Sequence, residues 1–427
     1  MGGLAVKFYK SSFLKEKYIE NGIWLYLLQA FNTILPLITV PYITRILGTV
    51  GYGTFSISLN IISYLQVVIE YGFGMSATRE VTLSDQNQDF LNRIYTGVFF
   101  SRIFLLLVCV LPSAIYLFIK RTDVELCTCF CVLLLSLIGY VIQLNWLFQG
   151  KQEMKYISIA SISARLITVV LIITIVKKKH DLIIYSLLYA SAPIISGIIG
   201  QIIARLKYKV RLIKISITDI RNELLNGWYV FTTQLSSKVF GAIGVTFLGL
   251  FATKEEAGIY SAILKIPTLL ILAWSPISQI IYPMISKRMG TSFFCGVDFV
   301  RKIKRYVLVI FGVACLLCSV FSYSIIRIAF GIDYVVKSYW VIPLLIWVLV
   351  SIINNFNGIQ ILLGSGHDIE YSKCFQIGVC VTVIVNYVLV YFLGGDGACL
   401  APVISEAFLG VLLYYQVKKI TKCELNN

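Results

Sequence analysis

The sequence predicts an all-α integral membrane protein, with about twelve transmembrane helices in two six-helix lobes related by a parallel pseudo-repeat. Three observations carry this expectation. Apolar runs of about 20 residues, the length that crosses a bilayer as a helix, recur along the 427-residue chain. Only 14% of residues are charged and 58% are hydrophobic, where a soluble chain would be about a quarter charged. Finally, the stretch from Asn21 to Ser63 returns, without a gap, from Asn226 to Thr268. Asn21 then meets Asn226, Gly22 meets Gly227, Gln29 meets Gln234, Gly53 meets Gly258 and Ser56 meets Ser261. The polar residues and glycines carry most of the weight, because two apolar segments match partly by composition alone.

The chain opens on a charged segment, residues 1–21, that carries Lys7, Lys10, Lys15 and Lys17. The apolar run behind it is too long for a signal-peptide core and has no small-residue cleavage site after it, so it reads as an uncleaved first span. Spans are expected at 22–46, 54–78, 96–119, 126–148, 156–176 and 182–204, which make an N-terminal lobe over 22–204. A basic linker at 205–223 follows. A second lobe over 224–417 holds spans at 224–250, 257–282, 306–330, 339–363, 371–393 and 397–417, and residues 418–427 form a tail. No connection is long enough to make a soluble domain.

Lys and Arg in the loops set the expected orientation. With the N-terminus inside, roughly 24 of them fall on the cytoplasmic side and 7 on the other, so both termini read as cytoplasmic. This distribution accounts for the net charge of +16 without a nucleic-acid partner. Because six is an even number of crossings, both copies of the repeat run in the same direction. Transporters built this way bind cargo between their halves.

Six cations are left inside predicted spans: Arg45, Arg102, Arg165, Lys238, Lys265 and Arg327. A cation near the bilayer centre costs at least about 2.5 kcal/mol. Only Glu70 and Glu406 are clearly acidic within spans, so pairing cannot absorb the excess, whereas an anionic guest could. Some of these residues can instead snorkel to headgroups: Arg102 lies near the inner end of its span, and Arg45 and Arg327 near outer ends. Glu70 is either a partner for one of the cations or a protonatable coupling group.

Pro36 and Pro41 in the first span, and Pro267, Pro276 and Pro283 in the eighth, predict kinks. The eleven cysteines lie mostly in apolar runs and read as small fillers rather than disulfides or metal ligands. There is no P-loop, no HExxH and no GxSxG. The outer loops are short, so no catalytic residue, metal or cofactor is expected.

Several motifs resemble one family. ILPLITVPYITRILGTVGYGTFSIS at 34–58, EYGFGMSATREV at 70–81 and NWLFQGKQEMKYISI at 145–159 resemble Wzx-type O-antigen and polysaccharide flippases, as do GIYSAILKIP at 258–267 and PISQIIYPMIS at 276–286. These belong to the multidrug/oligosaccharidyl-lipid/polysaccharide superfamily. The family often has Gly-Pro before the Tyr-Gly of its first turn, where this chain has Gly48-Thr49-Val50-Gly51-Tyr52-Gly53. The resemblance implies a bacterial inner-membrane flippase. Its cargo would be an undecaprenyl-diphosphate-linked glycan, moved to the periplasmic leaflet by alternating access and coupled to a proton or sodium gradient. Membrane lipids, a polysaccharide polymerase and a chain-length regulator are the implied partners. On this reading the six cations hold the diphosphate and any acidic sugar, and Glu70 couples the ion. The rivals are a multidrug or toxin exporter of the same fold, which would want acidic residues for cationic drugs, and a membrane polymerase, which would want long outer loops. A lipid II flippase would have extra spans.

Overall fold

The structure, a computed structural model, describes residues 2–83 and 87–426. For residues 2–19, Cys423, Leu425 and Asn426 it describes the backbone alone. The side chains of Lys7, Lys10, Lys15 and Lys17, on which the expected orientation of the first span rests, lie outside the described residues. The described chain is all helix and turn, with no strand. Among the described residues, ten helical stretches are long and apolar enough to cross a membrane. Two of them, 64 and 55 residues long, would measure about 95 and 80 Å as straight helices, against an apolar core of about 30 Å. Each therefore holds two crossings, and twelve result.

By packing, the chain forms two units, 1–47 with 58–235, and 48–57 with 236–427. In the first unit, α1 (Gly2–Glu70) runs unbroken through Pro36 and Pro41 and breaks instead at Gly48 (φ 68°, ψ −176°). Only glycine occupies that backbone region readily. α1 ends at Tyr71 and Gly72, both left-handed. The second span therefore stops at Glu70, short of the expected residue 78, and α2 (Phe73–Leu83) starts a new direction. α2 buries Phe73, Ala77 and Val81, a stripe at helical spacing. It packs on α5 (Asn145–Gly150), with the Thr78 hydroxyl 3.1 Å from the Trp146 carbonyl.

α3 (Gln88–Ile119) is capped by Asn87, whose side chain accepts from the Asp89 and Phe90 amides. α4 (Val124–Ile142) is capped in the same way by Asp123. α4 stops six residues before the expected end of its span, because Gln143 is extended. α6 (Met154–Ile175) and α7 (Leu182–Tyr208) complete the first six crossings. A buried apolar cluster around Phe73, Trp146, Leu147 and Phe148 joins α2, α3 and α5. Leu107, Leu111 and Phe118 of α3 are exposed, as suits a lipid-facing helix surface. α8 (Ile217–Phe251) gives residues up to Leu235 to the first unit and Ser236 onward to the second.

In the second unit, α9 (Lys254–Ile263) is capped by the Thr253 hydroxyl. It breaks at Leu264 before α10 (Lys265–Thr291), where one continuous span was expected. α10 runs through Pro276 and Pro283. α11 (Phe293–Val320) and the short α12 (Ser322–Ala329) divide the ninth span at Phe321. α13 (Val341–Asn355) passes into a π-helical segment, Phe356–Leu362. α14 (Asp368–Asn426) has its break at Gly394 (φ 57°, ψ −129°). Trp340, 1% exposed, anchors the turn before α13. Its indole N–H donates to Asp396 at 2.8 Å. The Tyr334 hydroxyl donates to the Gly48 carbonyl at 3.1 Å, so the break in α1 sits on a fixed partner.

Candidate functional site

The six predicted cations do not share one environment. Arg102, on α3, is 5% exposed. Its Nη1 lies 3.0, 3.4 and 2.6 Å from the carbonyls of Tyr140, Val141 and Gln143, and its guanidinium lies 5.7 Å from the Phe73 ring centre. Carbonyls at the end of a helix lack intrahelical donors. Arg102 supplies them where α4 stops and α5 begins, so its charge is committed to backbone rather than held open for a guest. The arrangement is that of a helix-end clamp.

The other five are exposed or half-buried. Arg45 on α1 and Arg165 on α6 are exposed in the first unit. Lys238 on α8 is half-buried, and Lys265 at the α9–α10 break and Arg327 in the last turn of α12 are exposed, all in the second unit. Two groupings emerge. Lys238 and Lys265 lie close enough for their charges to repel. Arg165 acts electrostatically on Tyr140 and Tyr189, and Tyr140 also feels Glu70. A patch that joins an arginine to two phenols suits a phosphate or sugar hydroxyls.

Glu70 closes α1. It accepts from Gln66 Nε2 at 3.0 Å and is electrostatically coupled to Arg102. Glu406 on α14 is 5% exposed. It accepts from Asn354 Nδ2 at 2.5 Å and is hydrogen-bonded to Ser351 and Trp347. In the same unit, Gln360 Nε2 of the π-helical segment donates to the Ser278 carbonyl and hydroxyl of α10 at 3.0 Å each, and Ser278 donates to Asn355 Oδ1 of α13 at 2.9 Å. Among the described residues, no group of His, Cys, Asp and Glu could hold a metal. Cys109, Cys129, Cys315, Cys374 and Cys399 are free and buried.

Sequence reading missed one contact. Glu80 on α2 and Glu223 on α8 bring two carboxyl groups near each other. Asn226 Nδ2 donates to Glu80 Oε1 at 3.0 Å. Both sit in stretches that read as cytoplasmic loop or linker, and the one available signal was the acidic pair amid basic residues.

The fold itself has solved counterparts. The chain is similar to "Lipid II flippase MurJ, inward closed conformation", with a TM-score of 0.70 and 12% identity over 94% of this chain and 87% of that one. It is similar also to "Inward-facing conformation of a multidrug resistance MATE family transporter of the MOP superfamily", with a TM-score of 0.66 and 12% identity over 92% and 99%. At such identities the likeness defines the architecture alone, an all-α membrane fold shared with those transporters. Residues 18–289 match the family described as polysaccharide biosynthesis protein, and the chain belongs to that family, as its motifs indicated. Over 95% of its length it is 27% identical to a protein named "Putative O-antigen transporter" from Escherichia coli (strain K12), covering 98% of that relative. A protein of the same name from Shigella dysenteriae is 24% identical over 93% of this chain and its own full length.

Proposed function

We propose that this protein is a flippase of the bacterial inner membrane, with both termini cytoplasmic. It moves undecaprenyl-diphosphate-linked oligosaccharide repeat units from the cytoplasmic to the periplasmic leaflet by alternating access of two six-helix lobes. The observation that carries the reading is the excess of cations over carboxylates on the membrane-crossing helices, Lys238 and Lys265 of the second unit among them. Such charge is costly within a bilayer, and an anion among these residues removes that cost. A lipid diphosphate supplies it. Arg45, Arg165 and Arg327 add cations on other crossings, and arginine matches phosphate oxygens with its planar fork. The names of the relatives agree with a glycan cargo. The glycan headgroup crosses through a wet path lined by these residues, while the polyprenyl tail stays in lipid. A proton or sodium gradient drives the cycle, and a polymerase and chain-length regulator receive the product. A drug exporter of the same fold fits less well, because the charge excess within the spans is positive.

The test is a gene-deletion strain complemented with Lys238→Gln, Lys265→Gln and Arg165→Gln, singly and together, at matched protein level. Loss of surface glycan with build-up of the lipid-linked precursor supports the reading. Normal surface glycan in the triple variant would make these cations structural.

A further inference from the structure

Among the described acidic residues, Glu406 is the one that stands at mid-span. It lies twelve residues from the break at Gly394 and twelve from Lys418, the first of the lysines that close α14. At 1.5 Å per residue that is about 18 Å each way, so the carboxyl is near the middle of an apolar core about 30 Å thick. Glu70, by contrast, is the last residue of α1. Glu406 is 5% exposed. Among the described residues, no Lys, Arg or His forms an ion pair with it.

What meets the carboxyl instead is an amide. Asn354 Nδ2 donates to Glu406 Oε2 at 2.5 Å and to the Glu406 carbonyl at 2.7 Å. That carbonyl can only accept, so it fixes which way the amide faces. An ionised carboxylate at this depth, with a neutral donor and no counter-ion, is costly, whereas the protonated acid is a neutral hydrogen-bonding group. A sodium ion needs a shell of oxygens, and here the amide turns an N–H toward the carboxyl in the place of one. The site therefore suits a proton. It also joins two helices, α13 and α14. One turn beyond Glu406, a Cβ on Gly410 would stand 2.7 Å from Asn354 Oδ1, so the helices meet closely there. Yet that Oδ1, on a side chain 5% exposed, has no hydrogen-bond partner among the described residues. An unmet buried acceptor is costly, and water entering between α13 and α14 would satisfy it. Trp347 and Ser351, which share the Asn354 face of α13, carry no titratable group. Tyr371, in the part of α14 before its break, is the titratable side chain that feels Glu406 from the other side, and a phenol brings no positive charge.

We propose that Glu406 binds the proton whose gradient drives export, and that Asn354 positions it at the contact of α13 with α14. With the proton bound, the carboxyl is neutral and the two helices stay packed. When the proton leaves to water, a charge stands at mid-span that the closed packing cannot hydrate, and α13 and α14 part to admit water. A carboxyl midway through the crossing can take its proton from one side of the membrane and release it to the other. This rests on the ion-coupled reading above, and it names the ion and the residue that carries it.

The test uses the full-length protein. In lipid nanodiscs, infrared titration between about pH 5 and 9 reads the protonated carboxyl stretch of the wild type and of Glu406→Gln, Asn354→Leu and Glu70→Gln. Melting temperatures check that each variant is folded. In the complemented deletion strain, surface glycan is measured with and without nigericin, which collapses the pH gradient. A titrating carboxyl band is expected in the wild type and is absent from Glu406→Gln. In Asn354→Leu the band persists but moves to higher frequency, because the carboxyl has lost its amide donor. Glu406→Gln lowers export at least about fivefold, the low end of ordinary coupling strengths, and the export that remains ignores nigericin. A band that survives Glu406→Gln, or a wild-type band that stays at every pH, would overturn the proposal. An unmoved band in Asn354→Leu would do so too, even if Glu406→Gln failed to fold. Wild-type export and nigericin sensitivity in Glu406→Gln, with both lost in Glu70→Gln instead, would overturn the part of Glu406 in coupling. Wild-type export that ignores nigericin while the band is lost as expected would overturn proton coupling itself and leave the proton site standing.

Discussion

Gly53 and Gly258, counterparts in the internal repeat, touch backbone to backbone in the second unit. A Cβ on Gly53 would lie 1.8 Å from the Lys254 carbonyl oxygen, and one on Gly258 would lie 2.0 Å from that of Thr49. The two copies of the motif meet at the residue they share, and nothing larger than hydrogen fits on either side. Close helix approach through glycine is a common way of packing helices in lipid. Gly53→Ala or Gly258→Ala should each cost about 1–3 kcal/mol of stability, the usual penalty of overpacking. Thermal unfolding in detergent reads this. Gly241→Ala is the control, since open space surrounds that position, and it should leave the melting temperature unchanged or slightly raised.

Arg102 and Arg165 should behave as opposites. Removing Arg102 leaves three carbonyls at the α4–α5 break without their donor. Arg102→Leu should lose about 3 kcal/mol or more, visible as low protein level and a depressed melting point. Arg165 is exposed, so Arg165→Leu should shift stability by no more than about 0.5 kcal/mol while export falls. If Arg102→Leu folded normally and only export failed, the clamp assignment would be wrong.

That contrast marks the limit of what was legible in the sequence. Apolar run length fixed the crossings, because a bilayer has one thickness and a helix one rise. The repeat was legible because Gly53 and Gly258 allow no substitute. The cation count was legible too, but not the use of each cation. Backbone carbonyls are present at every residue, so sequence cannot show which arginine meets three of them. Nor can it show that Tyr71 adopts a left-handed backbone, a conformation uncommon for a bulky residue. The early end of α1 followed from that. Glu223 was hidden for a third reason. It closes a linker that is basic over most of its length, and Glu80 lies more than a hundred residues away.

Asp396 is a hydrogen-bond acceptor first and a charge second. Its Oδ1 receives the Trp340 indole N–H and the Tyr339 hydroxyl, each at 2.8 Å. Lys337 stands farther off at 3.6 Å, with both partners partly exposed. Asp396→Ala should cost about 1–3 kcal/mol through the unmet indole of a buried tryptophan. Asp396→Asn keeps an acceptor and should cost less. Lys337→Gln should cost under about 1 kcal/mol, as an exposed ion pair does. Unfolding of the three variants at two salt concentrations checks the order.

Gly48 and Gly394 each turn one long helix into two crossings. Both hold backbone angles that side chains rarely adopt. Alanine at either should cost about 1–3 kcal/mol. At Gly394 a Cβ would also stand 3.0 Å from Glu256 Oε2, so that variant should be the worse of the two. Comparing their melting points, with Gly312→Ala as a control in open space, tests the assignment.

The π-helical segment at Phe356–Leu362 carries a consequence for the gene. Such a segment holds a surplus residue within an otherwise α-helical path, and here the surplus sets the angle at which Gln360 faces Ser278. Deleting one codon within it would return the helix to its common winding. Everything downstream up to Ser365 would turn by about 100°, and Gln360 would swing away from α10. In this stretch the reading frame would survive a three-nucleotide loss that the protein would not, although every residue type needed for the contact remained.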